Sequence, residues 1–224
     1  FGERESVYDT AKVLERYVDF VIIRSYDHSI LKNFCNFFSK PVINALTDHS
    51  HPCQVVADVL TLKEKAGELE GKKIAWFGDC NNVTQSSIEA SVILNLNFFI
   101  ATPKNLRPAN ETLEWIKKND GDVVFSENIE KVAEQADCII TDTWVSMGDD
   151  QGKSIEQFRP YQINSRLMNL AKPNAVFMHC LPAHRGFEVT KDVIDSSNSA
   201  IYDQAENRMP SQKAIIDFCF AKNN

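Results

Sequence analysis

His51 and Gln54 stand three apart in the string HPCQ, at the head of an apolar-periodic run through Val55, Val56, Val59 and Leu60. Helical geometry puts both on one face of a first turn, beside backbone N–H groups that lack intrahelical acceptors, a natural seat for an anion or a carbonyl oxygen. A lone His-Pro pair there is more often an ordinary structural cap. The neighbours His179 and Cys180 suggest a thiol nucleophile with its base. In an extended strand, however, adjacent side chains point to opposite faces, so these two are not expected to bond to each other, and Cys180 has the alternative of being a small buried residue. A zinc site from His51, Cys53, His179, Cys180 and His184 fits no common ligand spacing. The loop FGDCNN lacks the GxGxxG glycines that admit a pyrophosphate.

The elements that must position these residues are short apolar runs alternating with segments of helical period, the signature of βαβ units around a parallel sheet. Strands are predicted at 19–24, 41–46, 73–79, 98–103, 122–127, 137–143, 175–182 and 199–205, with helices between. Uncommon polar residues collect at the carboxyl ends of these strands, where open α/β sheets place their ligands. Arg24 ends one strand and His51 follows another; Asp79 to Asn82, Asp142 to Met147, His179 to Pro182 and Glu206 to Arg208 follow four more. Each alone could be a helix cap, a turn or a solvated strand end.

The charged, glycine-containing stretch before Lys73 marks a domain boundary. The expected fold is α/β, with two doubly wound parallel-sheet lobes: residues 1–66, incomplete at the N-terminus because two strands are too few for a stable sheet, and residues 70–205. A last helix at 209–222 is expected to pack back on the first lobe. A net charge of -7 argues against nucleic acid or an anionic membrane as the main partner. No apolar run approaches the roughly 20 residues of a bilayer span. Six cysteines, spread singly without CxxC pairs, read as thiols in a reducing compartment.

Taken together, HPCQ, FGDCNN, DTWVSMG (142–148), HCLPAHRG (179–186) and AENRMPSQKA (205–214) resemble the ornithine carbamoyltransferase family in order and spacing, over essentially the whole chain. HPxQ is shared with aspartate carbamoyltransferases; DxxxSMG together with HCLP points to ornithine or a close relative as acceptor. The resemblance implies carbamoyl phosphate contacts from Arg24, His51, Pro52, Cys53, Gln54, Cys180, Leu181 and Arg208. It implies ornithine contacts from Asn82, Asp142, Ser146 and Met147, with His51, Cys180 and Asp142 nearest the chemistry. The implied reaction is attack of the neutral δ-amine on the carbamoyl carbon, with phosphate leaving and no metal or cofactor required. A homotrimer or a multiple of one, and residence in the cytoplasm or the mitochondrial matrix, are implied as well.

The sequence departs from the family in two places. The SxRT string that grips phosphate in relatives does not occur, which frames an alternative: a truncated, catalytically impaired ornithine-binding homologue. Cys80 stands where the family commonly has a small residue such as glycine. A second alternative is a carbamoyltransferase for another amine such as putrescine, which would leave Asp142, Asn82 and Ser146 without partners.

Overall fold

The computed structural model describes residues 4–145 and 154–221. Ser146 and Met147, two of the expected ornithine contacts, lie outside the described residues.

The chain begins with α1 (Val7–Leu14), β1 (Val21–Arg24), α2 (His28–Cys35) and β2 (Val42–Leu46). Both helices start at side-chain caps, Ser6 accepting from the Asp9 amide and Asp27 from the Ser29 amide. β1 and β2 pair in parallel, with an irregularity after Ile23 that sets Arg24 opposite Leu46. One face of this pair packs on α1 and α2 through Ala11, Ile23, Leu31, Phe34 and Phe38.

Next comes α3 (Pro52–Ala66), begun by proline at its first position and ended by Gly67 at φ +77°, a left-handed conformation that a Cβ would strain. It leads into the larger unit: β3 (Lys73–Phe77), α4 (Asn82–Ile93), β4 (Asn97–Ala101), α5 (Asn110–Lys118), β5 (Val123–Ser126), α6 (Ile129–Ala133), β6 (Cys138–Thr141), α7 (Ser165–Met168), β7 (Val176–His179), α8 (Lys191–Ile194), α9 (Ile201–Glu206) and α10 (Arg208–Ala221). Five of its strands form one parallel sheet in the order β5-β4-β3-β6-β7.

Successive strand residues point to opposite faces, and both faces are buried. Ala75, Phe77, Ile139 and Phe177 join one cluster with Val132, Leu167 and Val193. Ile74, Trp76, Phe98, Ile100, Ile140 and Met178 join the other with Val55, Leu62, Val83 and Ile88. Each large apolar side chain buried in this way contributes roughly 2–3 kcal/mol. Burial on both faces is why these strands read as continuous apolar runs.

Seven of the eight predicted strands are present; the eighth is not. Residues 199–205 turn into α9, and their strand character is reduced to one bridge between Phe177 and Ser199. The physical reason is the burial period: Ile201 and Gln204, three apart, are buried, whereas Tyr202 is 71 % exposed. Glu206 to Arg208 therefore sit at the junction of α9 and α10 rather than after a strand.

α3 packs against β2, β7, α4, α9 and α10, so it touches both sheets. α10 runs beside α3, and the Phe220 ring meets Phe20 edge-on at 5.5 Å. No helix among the described residues is long and apolar enough to cross a membrane.

Candidate active site

The larger sheet changes direction between β3 and β6: the chain winds outward from β3 through β4 to β5, then returns to lay β6 on the other side of β3. A crevice opens at the carboxyl ends of two such strands. Here it receives the Gly78 to Asn82 loop and Asp142. Gly78, at φ +121° with Trp144 3.5 Å from the position of a Cβ, makes the tight exit from β3.

Asp142 is the hub on this side. Its Oδ2 accepts from Asn81 Nδ2 at 2.7 Å, and its Oδ1 accepts from the Cys180 thiol at 3.0 Å and the Thr143 amide at 2.7 Å. Asn81 itself is held in place as the cap of α4, its Oδ1 accepting from the Val83 and Thr84 amides. Burial, then the neighbouring Asp142 carboxylate, pushes the Cys180 thiol well above its ordinary range. Cys180 is thus a neutral S–H donor rather than a thiolate nucleophile.

The opposite wall is the start of α3. His51 caps the helix with its backbone alone, its N–H donating to Ser86 Oγ on α4 at 2.9 Å. Its ring is buried and Nδ1 has no hydrogen-bond partner. Burial, followed by the guanidinium groups of Arg208 and Arg24, lowers its pKa to about 4, so the imidazole is neutral at pH 7 and offers one N–H. Gln54 Oε1 accepts from Arg208 Nη1 at 2.5 Å. With the Gln212 amide oriented oxygen-inward, Arg208 Nε and Nη2 donate to it at 2.9 and 2.7 Å. Arg24 is exposed at the end of β1.

Three expected contacts are qualified here. Pro52 is exposed and brings no N–H, and the Gln54 amide is taken by His51 O at 3.1 Å, so the first turn has fewer open donors than HPCQ suggested. Cys53 is buried with its thiol turned to Asn44 O at 3.3 Å, away from the His51 face. That leaves its backbone as the only part suited to a ligand.

The HCLP turn closes the crevice from β7. His179 Nδ1 accepts from the Leu181 amide at 2.9 Å, which leaves the proton on Nε2, facing Glu188 Oε1 at 3.2 Å. Glu188 is itself buried and also accepts from the His184 amide at 2.5 Å. This clamp holds Leu181 at φ +59°, a conformation an ordinary side chain resists by roughly 1–2 kcal/mol. Because the chain bends at Cys180, the His179 and Cys180 donor atoms come within 4.8 Å of each other and of Asp142. Opposite strand faces therefore describe them only in part, although their hydrogen-bond partners do differ. Both ring nitrogens of His179 are engaged, so this set is wired for hydrogen bonding rather than metal ligation.

Asn82 donates to Thr47 O at 2.6 Å and so ties α4 to the loop before His51. It lines a 530 Å³ cleft with Leu46, Thr47, Asp79, Asn81 and Arg107. Among the described residues expected to contact substrate, Asn82 lines that cleft, while Asp142 and Cys180 are linked to it through Asn81 and His51 through Ser86 of α4. Sequence reasoning included Asn81 in the Asp79 to Asn82 stretch without giving it a role, and missed Asp58, Gln204 and Glu188. The repeated spacing of four in Gln54/Asp58 and Gln204/Arg208 was a faint signal for two of them.

Comparison with known proteins places the chain in a family. Residues 1–64 match the family profile described as aspartate/ornithine carbamoyltransferase, carbamoyl-P binding domain, and residues 70–219 match its Asp/Orn binding domain. The chain is 49% identical over 219 residues to an ornithine carbamoyltransferase of Brucella abortus, covering 97% of this chain and 70% of that protein. It is also 49% identical over 220 residues to that of Rhodopseudomonas palustris, covering 98% and 70%. Among solved structures, anabolic ornithine carbamoyltransferase from Campylobacter jejuni superposes with TM-score 0.94 at 34% identity, covering 99% of this chain and 76% of that one. The Pyrococcus furiosus enzyme superposes with TM-score 0.90 at 43% identity, covering 96% and 71%. With both profiles matched in order along one chain, this protein belongs to the aspartate/ornithine carbamoyltransferase family, among its ornithine carbamoyltransferases.

Proposed function

We propose that the chain transfers the carbamoyl group of carbamoyl phosphate to the δ-amine of L-ornithine, giving L-citrulline and phosphate, at the crevice between α3 and the β3/β6 strand ends. The observation that carries the assignment of roles is the joining of two complementary groups through α4: neutral His51, in the field of Arg208, bonds Ser86 of that helix, and Asn81, its cap, holds the Asp142 carboxylate to which Cys180 donates.

Arg24 and Arg208 offset the phosphate charge, and the neutral His51 N–H donates to the carbamoyl oxygen as it gains negative charge. Gln54 Oε1 and the backbone around Cys180 and Leu181 accept from the carbamoyl N–H groups. Asp142 pairs with the α-ammonium of ornithine, and Asn82 with Ser146 and Met147 serves the α-carboxylate. The δ-nitrogen lone pair attacks the carbamoyl carbon, the C–O bond to phosphate breaks, and the nitrogen's surplus proton leaves with the phosphate. A free alkylamine titrates near 10, so the site must take ornithine with its δ-amine deprotonated or remove that proton on binding. Cys180, bridging to Asp142, is the nearest hydrogen-bond relay.

The family resemblance supports a homotrimer serving arginine biosynthesis. Six cysteines spread singly along the chain fit a reducing compartment, the cytoplasm or the mitochondrial matrix. The direct test incubates the purified protein with carbamoyl phosphate and either ornithine or putrescine and measures the ureido product. Citrulline is expected, with putrescine at least about 100-fold poorer in kcat/KM because it lacks both α-groups. Equal use of the two amines would overturn the assignment of Asp142 and Asn82.

A further inference from the structure

A buried carboxyl stands outside the contacts assigned to the two substrates. Asp58 lies on α3 one turn beyond Gln54 and is 5 % exposed. Its Oδ1 accepts from two glutamine amides, Gln54 Nε2 at 2.8 Å and Gln204 Nε2 at 2.7 Å. Each glutamine then turns its carbonyl oxygen toward the site. Gln54 Oε1 receives Arg208, and Gln204 Oε1 receives the backbone N–H of His179 at 2.9 Å, at the end of β7 just before Cys180.

The two ends of a carboxamide are nearly identical in shape and opposite in hydrogen-bonding sense. Sterics alone therefore do not choose which end of Gln54 meets Arg208. A flipped Gln54 would present its NH2 to a guanidinium, donor against donor, and would lose its acceptor for a carbamoyl N–H. The same flip at Gln204 would set an NH2 against the His179 N–H. An acceptor-only group placed between the two Nε2 atoms settles both orientations at once.

We propose that Asp58 is a positioning residue for carbamoyl transfer, accepting from both amides so that Gln54 Oε1 faces Arg208 and the carbamoyl nitrogen while Gln204 Oε1 anchors the strand end carrying Cys180 and Leu181. The proposal deepens the transferase reading and rests on it. A purely structural role is the poorer account of the same residue. Burial raises the Asp58 carboxyl to about 6 despite both amides and nearby Arg208, with Asp142 adding to the rise, so for stability alone a wholly apolar set of side chains in place of Asp58 and both glutamines would serve at lower cost. The interactions also run from α3 to β7, linking the half-site for the phosphate donor to the turn beside the acceptor.

Side-chain amide NMR on the full chain tests the geometry without relying on turnover. The Gln54 and Gln204 amide signals should move together as Asp58 titrates near pH 6, and Asp58→Leu should abolish that shared titration. Steady-state kinetics test the consequence. Asp58→Leu should lower kcat/KM for carbamoyl phosphate about 30-fold or more while KM for ornithine changes by less than about threefold, and Asp58→Asn, which keeps an acceptor oxygen, should recover activity to within about fivefold. Should Asp58→Leu fail to fold, Asp58→Asn and the titration still decide. Amide signals that ignore the Asp58 titration, an Asn variant as impaired as a fully substituted one, or a Leu variant with unaltered kinetics would each overturn the proposal. Absence of citrulline from the unaltered protein would instead overturn the transferase reading, and the amide titration would still decide whether Asp58 orders the two glutamines.

Discussion

Lowering the pH from 7 to 5 should weaken the fold through His51 in a way that one substitution can isolate. In the folded chain this imidazole titrates near 4, against 6.5 for the free side chain. The unfolded chain therefore takes up the proton first, and the stability tied to a neutral His51 is present at pH 7 and lost as the pH falls from 6.5 toward 4. Linkage gives a loss of about 2 kcal/mol by pH 5 and about 3 kcal/mol by pH 4. Asp58 acts in the opposite sense, because its folded carboxyl titrates at about 6, above the ordinary 3.8. It favours the fold as the pH drops through that window, by about 1 kcal/mol at pH 5. Comparison with His51→Gln removes this and every other shared contribution. Urea denaturation of both proteins at pH 7 and pH 5 is the assay. The unaltered protein should lose about 2 kcal/mol more than His51→Gln over that interval. Equal losses would refute the burial and arginine-field account of His51, and with it the reason for treating the ring as a neutral donor.

Asp142→Ala should raise KM for ornithine and lower kcat/KM by about 100-fold or more, the range of a charge-assisted contact, with carbamoyl phosphate affinity from calorimetry little changed. Cys180 should resist iodoacetamide at pH 8 in the folded protein, since burial and Asp142 hold it as a thiol; rapid alkylation would contradict that protonation state. Glu188→Ala should destabilise the protein by about 2–4 kcal/mol in denaturant titrations, because His179 Nε2 and the His184 amide lose their buried acceptor. Glu188→Gln, which keeps an acceptor oxygen, should recover more than half of that loss.

Much of the architecture was legible in the chain. Seven strands announced themselves as Val-, Ile- and Phe-rich runs, most plainly β3, β6 and β7, which are buried on both faces of the larger sheet, and Pro52 marked the start of α3. SAIYDQA failed as a strand because its apolar residues suit either period; only the packing of Ile201 and Gln204 against their neighbours selected the helix. HPCQ put His51 and Gln54 at the head of α3, where the structure has them, and its proline already meant one donor fewer, yet sequence spacing could not reveal that Cys53 turns to Asn44.

What the residues alone determined was a set of local patterns: strand and helix periods, helix caps, and the motif strings that carry the chemistry. Which polar groups meet was decided by tertiary structure. Asn81 reaches Asp142 from 61 positions away, and Asp58 meets Gln204 across 146. The neutrality of His51 and the raised pKa of Cys180 belong to the same class of fact. Desolvation and the field of distant charges arise only when the chain folds around these groups, and no local period in the chain encodes them.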